Sequence, residues 1–514
     1  MKVKFIQPAY AEAARLALRP IKYSLFAPLA LPTLAGFLDE GDPAEFQDEN
    51  VEAVRLDDEP DLIAVRVCVN SARRAYQIAD HYRRRGIHVC LGGLHTTALP
   101  EEAAAHADTV FLGPGEDTWP RFLDDFRTGR PQRLYISRRR SLAGVPPPRR
   151  DLLRRGRYLV PNTIVVSRGC PHQCEFCANE SFFAGGAHFY TLRDEEALTQ
   201  VGELPGRHVY FLDDQIFGDR RFAESLFDGL RGMGKVWQAA GTVEAVLAPG
   251  LLERAAASGL RSLLIGFESL SQSSLRDLGK TRNVRRDYDL AVRRLHDNGV
   301  LINATFVAGM DHDGPDVFDR VVDWAVARGV ETATFHILTP YPGTSLFRRL
   351  DREGRILTRN WDVYDTGHAV FRPARMTSGQ LEDGYRRAYE SFYRWRSVCR
   401  SALTRTQTAD RIRHLLYAGG WRKFEHAWDL AIRTGTIGVL RPLLQGILTG
   451  FGRYRPAKAA AGERGQQRPA GHDVPVGEAT PHPEACLSPG GELHETPTTG
   501  PDDLDCCRPR AYVQ

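Results

Sequence analysis

Three cysteines, Cys170, Cys174 and Cys177, stand at C-x3-C-x2-C spacing within Ser167-Arg168-Gly169-Cys170-Pro171-His172-Gln173-Cys174-Glu175-Phe176-Cys177. Thiolates are soft ligands that select iron–sulfur clusters, zinc or copper(I). A structural zinc site wants four ligands. No fourth cysteine is near, so zinc would have to recruit His172. Three thiolates on a four-iron cluster instead leave one iron open to a further ligand. The β-branched run Thr163-Ile164-Val165-Val166-Ser167 before them reads as a buried strand, and a loop with Gly185 and Gly186 follows. The thiols are therefore expected at the C-terminal end of a strand.

The elements that must position them recur. From Asn162 to about Leu350 a strand–helix unit repeats, with candidate strands at 163–167, 208–212, 236–240, 262–267, 301–307 and 332–338. Active sites of βα barrels gather at the C-terminal strand ends. The second strand ends in Asp213 and Asp214, where the alternative for one aspartate is to cap the next helix. The fourth ends in Gly266, Glu268 and Ser269, with Ser269 expected to cap the following helix. The fifth carries Asn303 and the sixth His336. A polar side chain inside a strand is unusual unless it faces a pocket, and structural hydrogen bonding is the alternative.

Residues 1–135 alternate strand and helix. Strands are expected at 2–6, 51–56, 61–69, 87–91 and 109–112, and helices at 29–38, 72–85 and 117–126. That alternation predicts a parallel, doubly wound sheet whose ligands sit at the C-terminal strand ends. Two loops there carry glycines, Gly92-Gly93-Leu94-His95 and Gly113-Pro114-Gly115-Glu116, and glycine lets backbone approach a ligand closely. Residues 136–160 are basic and proline-bearing and read as a linker.

The cysteine spacing, with an aromatic before the last cysteine, resembles the radical SAM signature. That resemblance implies a [4Fe–4S] cluster on Cys170, Cys174 and Cys177, with S-adenosylmethionine on the open iron and cleaved on reduction to a 5′-deoxyadenosyl radical. It places Phe176 near the adenine, and Asp213, Asp214, Gly266, Glu268, Ser269 and Asn303 around the cofactor. The second half then corresponds to the partial (β/α)6 barrel of that superfamily, at 161–354. The order of loops ahead of it resembles the cobalamin-binding domain of the cobalamin-dependent branch, which implies that Ser71, Gly92, Gly93, His95, Gly113, Gly115 and Glu116 face cobalamin. The histidine motif that ligates cobalt in many such domains is absent; Asp80-His81 has the wrong spacing, and His81 reads as an ordinary helix residue. The implied activity is methylation of an unactivated carbon of a small secondary-metabolite or lipid-like substrate. The implied partner is an external electron donor of flavodoxin or ferredoxin type. The same machinery without methyl transfer, and a sensor without turnover, are the alternatives.

The bulk properties fit an α/β enzyme. Of 514 residues, 42% are hydrophobic and 26% charged, as in ordinary globular domains. The net charge of +4 is too small to argue for nucleic acid. Nine cysteines in this length are not a disulfide framework, no apolar run is long enough to span a bilayer, and a reducing cytoplasm is expected. Residues 355–454 hold an aromatic cluster at Trp361, Tyr364 and Phe371, expected as core between barrel and C-terminal helices. Helices are expected at 378–399 and 409–445. A stretch near Ile437–Leu448 is expected to serve domain packing, with contact to a membrane surface or a lipid as the alternative. The tail from 455, with Cys486, Cys506 and Cys507, is expected to be disordered by composition.

Overall fold

The computed structural model describes residues 1–15, 21–422 and 425–454; the tail with its three cysteines lies outside the described residues. The first sheet comprises β1 (Val3–Gln7), β2 (Ala44–Asp48), β3 (Leu62–Arg66), β4 (His88–Gly92), β5 (Thr109–Leu112) and β6 (Leu134–Ile136). Its order is β2-β1-β3-β4-β5-β6, with every pairing parallel. Alternate side chains go to opposite faces. Leu62, Ala64, Cys90 and Phe111 pack with Leu31, Trp119 and Phe122 on one side. Ile63, Val65, Leu91 and Val110 pack with Ala75, Ile78 and Tyr82 on the other. Burial on both faces explains why these strands read as continuous apolar runs. The chain leaves β1 for the edge strand β2 and returns on the far side at β3, which opens a crevice at the carboxyl ends there.

Two edge strands differ from expectation. No strand forms over 51–56; the edge strand is the more polar Ala44-Glu45-Phe46-Gln47-Asp48. Asp48 accepts from the backbone N–H of Asn50 at 3.0 Å and turns the chain, and the Arg55 carbonyl accepts from Lys4 Nζ and Tyr82 Oη instead of a ladder. β6, the other edge, is not among the expected strands: Leu134-Tyr135-Ile136 is apolar but only three residues long, and only Tyr135 is buried. A strand with one neighbour and one covered face needs less apolar sequence. The helix expected from 117 begins at Trp119.

The second half holds β7 (Thr163–Ile164), β8 (Ser167–Gly169), β9 (Phe189–Thr191), β10 (His208–Phe211), β11 (Val236–Gly241), β12 (Leu260–Glu268), β13 (Leu301–Ala308) and β14 (Thr332–Ile337). Six of these form a parallel sheet in the order β14-β13-β12-β11-β10-β7, while β8 and β9 make a separate antiparallel pair. The six are sequential neighbours, but β7 and β14 do not pair, so the sheet is a partial βα barrel. The expected strand 163–167 is broken after Ile164.

The outer edge of β14 is closed by side chains. The hydroxyl of Tyr389 accepts from the Phe335 N–H at 3.1 Å and donates to its carbonyl at 3.2 Å. Tyr393 does the same for Ala333, at 3.2 and 3.0 Å. Both tyrosines belong to a helical region split more finely than expected, into Ser378–Phe392, Trp395–Leu403, Thr408–Arg422, Glu425–Thr434 and Arg441–Leu448. Gly435 at φ +71° and Pro442 in the first turn of the last helix account for one break. Tyr417 and Leu448 pack on Val236 and Leu301 at the N-terminal strand ends, under the barrel. Among the described residues no helix is long and apolar enough to cross a membrane.

Candidate active site

The cysteine loop leaves β8 and is pinned on both sides. Gly169 sits at φ +76°, and a Cβ there would strike the His188 carbonyl, the same carbonyl that accepts from the Cys170 N–H at 2.9 Å. Glu175 donates its N–H to Leu278 O at 3.2 Å and accepts from the Leu346 N–H at 2.9 Å. Phe176 is half-buried against the barrel core. Cys174 is buried, and Cys170 and Cys177 are half-buried. Burial pushes all three thiols up, Cys177 to about 12; Cys170 and Cys177 also feel the charge of neighbouring thiolates, and Cys174 that of Glu268. Such thiols stay protonated unless a metal takes the proton's place, so the donor set fits an iron–sulfur cluster.

The paired aspartates after β10 divide their work. Asp213 is buried, and its Oδ1 accepts from the Val166 N–H at 3.1 Å, from Ser167 Oγ at 2.6 Å and from the Ser167 N–H. It therefore staples the break between β7 and β8 and faces no cofactor through that oxygen. Burial raises its carboxyl to about 7 against those bonds. Asp214 accepts from the Gly169 N–H at 3.2 Å and lines the cavity described below. Neither caps the following helix; Asp219 does, accepting from Phe222 N–H at 2.9 Å.

At the end of β12, Glu268 adopts φ +63° and folds its carboxylate back over Gly266, where a Cβ would collide with Oε1. Lys280 donates to that oxygen at 3.0 Å. Burial alone would lower the Lys280 amine, but the charges of Glu268, Cys174 and Cys177 outweigh it and hold it above its ordinary value. Lys280 thus stands among the thiols and the carboxylate. It escaped the sequence reading because it lies on a loop twelve residues past Glu268, not at a strand end. Ser269 accepts from the Ser271 N–H at 3.0 Å, and Ser271, not Ser269, caps the helix that follows. Asn303 is also a correction. It lies in the N-terminal half of β13, donates to Ser262 Oγ at 2.6 Å and accepts from Tyr417 Oη at 3.2 Å and from Thr332 Oγ1. It is a satisfied residue low in the barrel. His336, near the mouth end of β14, is held through Nδ1 by Thr366 Oγ1 at 3.0 Å.

Between the two sheets lies a cavity of about 410 Å³. Gly92, Gly93, Gly113, Gly115 and Glu116 line one side, and Arg168, Asn179, Phe183 and Asp214 the other. A Cβ on Gly115 would come within 3.3 Å of the flexible Leu34 side chain. Gly93 differs: at φ +129° its Cβ would sit 2.6 Å from the Val67 carbonyl, so that glycine is required by the backbone. Arg168 and Glu116 form an ion pair across the cavity at 2.5 Å. An apolar cleft with a few convergent polar groups is the form of a cofactor site, and its size accommodates part of a molecule as large as cobalamin.

Two residues expected here lie elsewhere. Ser71 exchanges hydrogen bonds with the Cys68 backbone at 3.1 and 3.2 Å and shapes the entry to helix Ala72–Arg84. His95 is fully buried, bonded to Glu102 at 2.9 Å and edge-on to Trp361. Trp361 also donates to Glu102 at 3.1 Å. Trp361 and Tyr364 therefore seal the N-terminal sheet against the segment after the barrel, whereas Phe371 packs in the barrel core beside Leu381 of the first C-terminal helix, as expected. His81 bonds the Leu56 carbonyl at 2.8 Å.

The Radical SAM superfamily matches residues 164–340, which begin within the β7 strand that leads to the cysteine loop. The bacteriochlorophyllide d C-12(1)-methyltransferase of Chlorobaculum tepidum is 27% identical over 66% of this chain and 76% of its own. The hopanoid C-2 methylase of Rhodopseudomonas palustris is 26% identical over 64% and 65%. The structure of the cobalamin-dependent S-adenosylmethionine radical enzyme OxsB with aqua-cobalamin bound covers 88% of this chain and 79% of that one, at 15% identity and a TM-score of 0.60, and shares its fold. Residues 164–340 are a radical SAM domain.

Proposed function

We propose that this chain is a cobalamin-dependent radical SAM methyltransferase acting on an unactivated carbon of a small secondary-metabolite or lipid-like molecule. The observation that carries this reading is the cavity walled by both halves, with glycine loops of β4 and β5 facing residues of the cysteine loop. The reaction type is supported by the names of the methylating relatives. In this reading 1–135 is the cobalamin domain, 136–160 a linker, 161–354 the barrel and 355–454 a helical region. Cys170, Cys174 and Cys177 hold the [4Fe–4S] cluster. Phe176, Asp214, Gly266 and Glu268, with Lys280, form the S-adenosylmethionine pocket. Gly92, Gly113, Gly115 and Glu116 cradle part of cobalamin, with no histidine on cobalt.

Once bound, these groups would supply a 5′-deoxyadenosyl radical and a transferable methyl group. The chain's own side chains orient and shield. Lys280 and Glu268 present a fixed charge pair beside the thiols, and the apolar cavity wall excludes water. An external one-electron donor of flavodoxin or ferredoxin type and a reducing cytoplasm belong to the same proposal.

The test is anaerobic reconstitution followed by mass spectrometry. Expected are bound cobalamin, 5′-deoxyadenosine from S-adenosylmethionine under reduction, and a product one methylene heavier than a substrate from the neighbouring pathway. Absence of 5′-deoxyadenosine leaves a sensor; its formation with a product of unchanged carbon count leaves a non-methylating radical enzyme.

A further inference from the structure

Of the twelve exposed large hydrophobic residues among the described residues, eight fall between Trp395 and Phe451. Exposed apolar side chains scattered singly need no explanation, but a concentration of them does. The same stretch, 394–454, contains eleven Lys or Arg against three Asp or Glu. Its surplus of positive charge exceeds that of the entire chain, +4.

The two features coincide on one helical hairpin. In helix Trp395–Leu403 the inward positions Val398, Ser401 and Ala402 are buried. Trp395, Cys399 and Leu403, four residues apart, are exposed and form an outward stripe. Arg396 and Arg400 follow one position on, and Arg394 precedes; all three are exposed and none has an ion-pair partner among the described residues. The next helix, Thr408–Arg422, turns Arg413, His414 and Tyr417 inward and leaves Ile412 and Leu416 out, 49% and 40% exposed. The Trp395 ring lies against Gly419, where a Cβ would be 3.1 Å away, which brings the two stripes side by side. Asp410 is engaged by Arg453 at 3.2 Å and Tyr454 at 3.1 Å and does not offset the arginines.

We propose that this hairpin docks the protein on an anionic phospholipid bilayer, lying in the interface without crossing it. Protruding Trp and Leu interleaved with Arg suit a surface that deforms around them and carries negative charge. A second copy fits poorly, because a two-fold contact would set Arg394, Arg396 and Arg400 against their own counterparts. The hairpin packs below and beside the barrel, away from the cysteine loop, so docking leaves the mouth open. This inference does not depend on the methyltransferase reading.

Vesicle co-sedimentation of the full chain tests it. The protein should pellet with vesicles of equal parts phosphatidylglycerol and phosphatidylcholine at low salt, stay in solution with phosphatidylcholine alone, and be released by salt. Charge reversal in R394E/R396E/R400E should weaken binding at least roughly tenfold. W395S/L403S should weaken it roughly tenfold as well. Both variants should keep 5′-deoxyadenosine formation and a melting temperature near that of the parent. The proposal is overturned if the parent protein stays in solution with anionic vesicles, or if the charge-reversed variant pellets as the parent does. It is also overturned if W395S/L403S instead dissolves a concentration-dependent dimer seen by light scattering while vesicle binding is absent.

Discussion

Gly266 and Glu268 form one steric unit at the end of β12. The carboxylate occupies the space a Cβ would need, so Gly266→Ala should expel Glu268 from Lys280. A partly buried ion pair left half-broken costs on the order of 1–3 kcal/mol. We expect S-adenosylmethionine affinity, read by equilibrium dialysis on reconstituted protein, to fall by roughly tenfold or more, which that cost implies. Alanine at Cys170, Cys174 or Cys177 removes a ligand no neighbour replaces, and each variant should lose the cluster absorbance and all 5′-deoxyadenosine formation. Full activity in any one of them sinks the assignment. For the proposed cobalamin cradle, Gly115→Val is the informative change, because its Cβ enters the cavity without backbone strain. It should weaken cobalamin binding and suppress methyl transfer while sparing uncoupled cleavage; Gly93→Ala would strain the backbone and report folding instead. The thiol spacing and the G-x-E string were legible because they are local patterns. Lys280 and the Arg168–Glu116 pair were not, because each exists only through tertiary approach. Ser71, His95 and Asn303 misled for a related reason: a polar residue at a strand end or inside a strand reads alike whether it meets a ligand or only its own chain.

Strands that pair on both sides matched their expected positions to within two residues, since two-sided burial writes an apolar run into them, except that β3 ends at Arg66, three short of the expected 69. The edge strands β2, β6 and β7 did not, whereas the edge strand β14 fell within one residue of its expected 332–338 and has its open side covered by side chains. Tyr389 and Tyr393 each satisfy one N–H and one C=O on its open side. Removing a hydroxyl that serves buried backbone costs about 1–3 kcal/mol. Tyr389→Phe and Tyr393→Phe should therefore each lower the melting temperature measurably, and unchanged melting would show that the edge needs no cover. β10 carries a pH signature. His208 is fully buried, bonded to Gln238 at 2.9 Å, and burial lowers its imidazole from 6.5 to about 4. The unfolded chain thus takes up a proton that the folded chain refuses. Stability is retained above pH 6.5 and lost as pH falls from there towards 4, by up to about 3 kcal/mol. His208→Gln should flatten the melting-temperature profile over that window.

Across the molecule, the Arg168–Glu116 pair joins the strand that leads into the cysteines to the loop that closes the cavity. Arg168 is two residues from Cys170, and Glu116 directly follows Gly115. If the two ligands occupy these two places, neither equilibrium is independent of the other. Whatever factor bound cobalamin applies to the affinity for S-adenosylmethionine, S-adenosylmethionine must apply to cobalamin, because the cycle of binding steps closes on itself. Arg168→Met cuts the bridge between them and should bring that factor towards one in both directions at once, a symmetry that a change at either pocket alone could not produce.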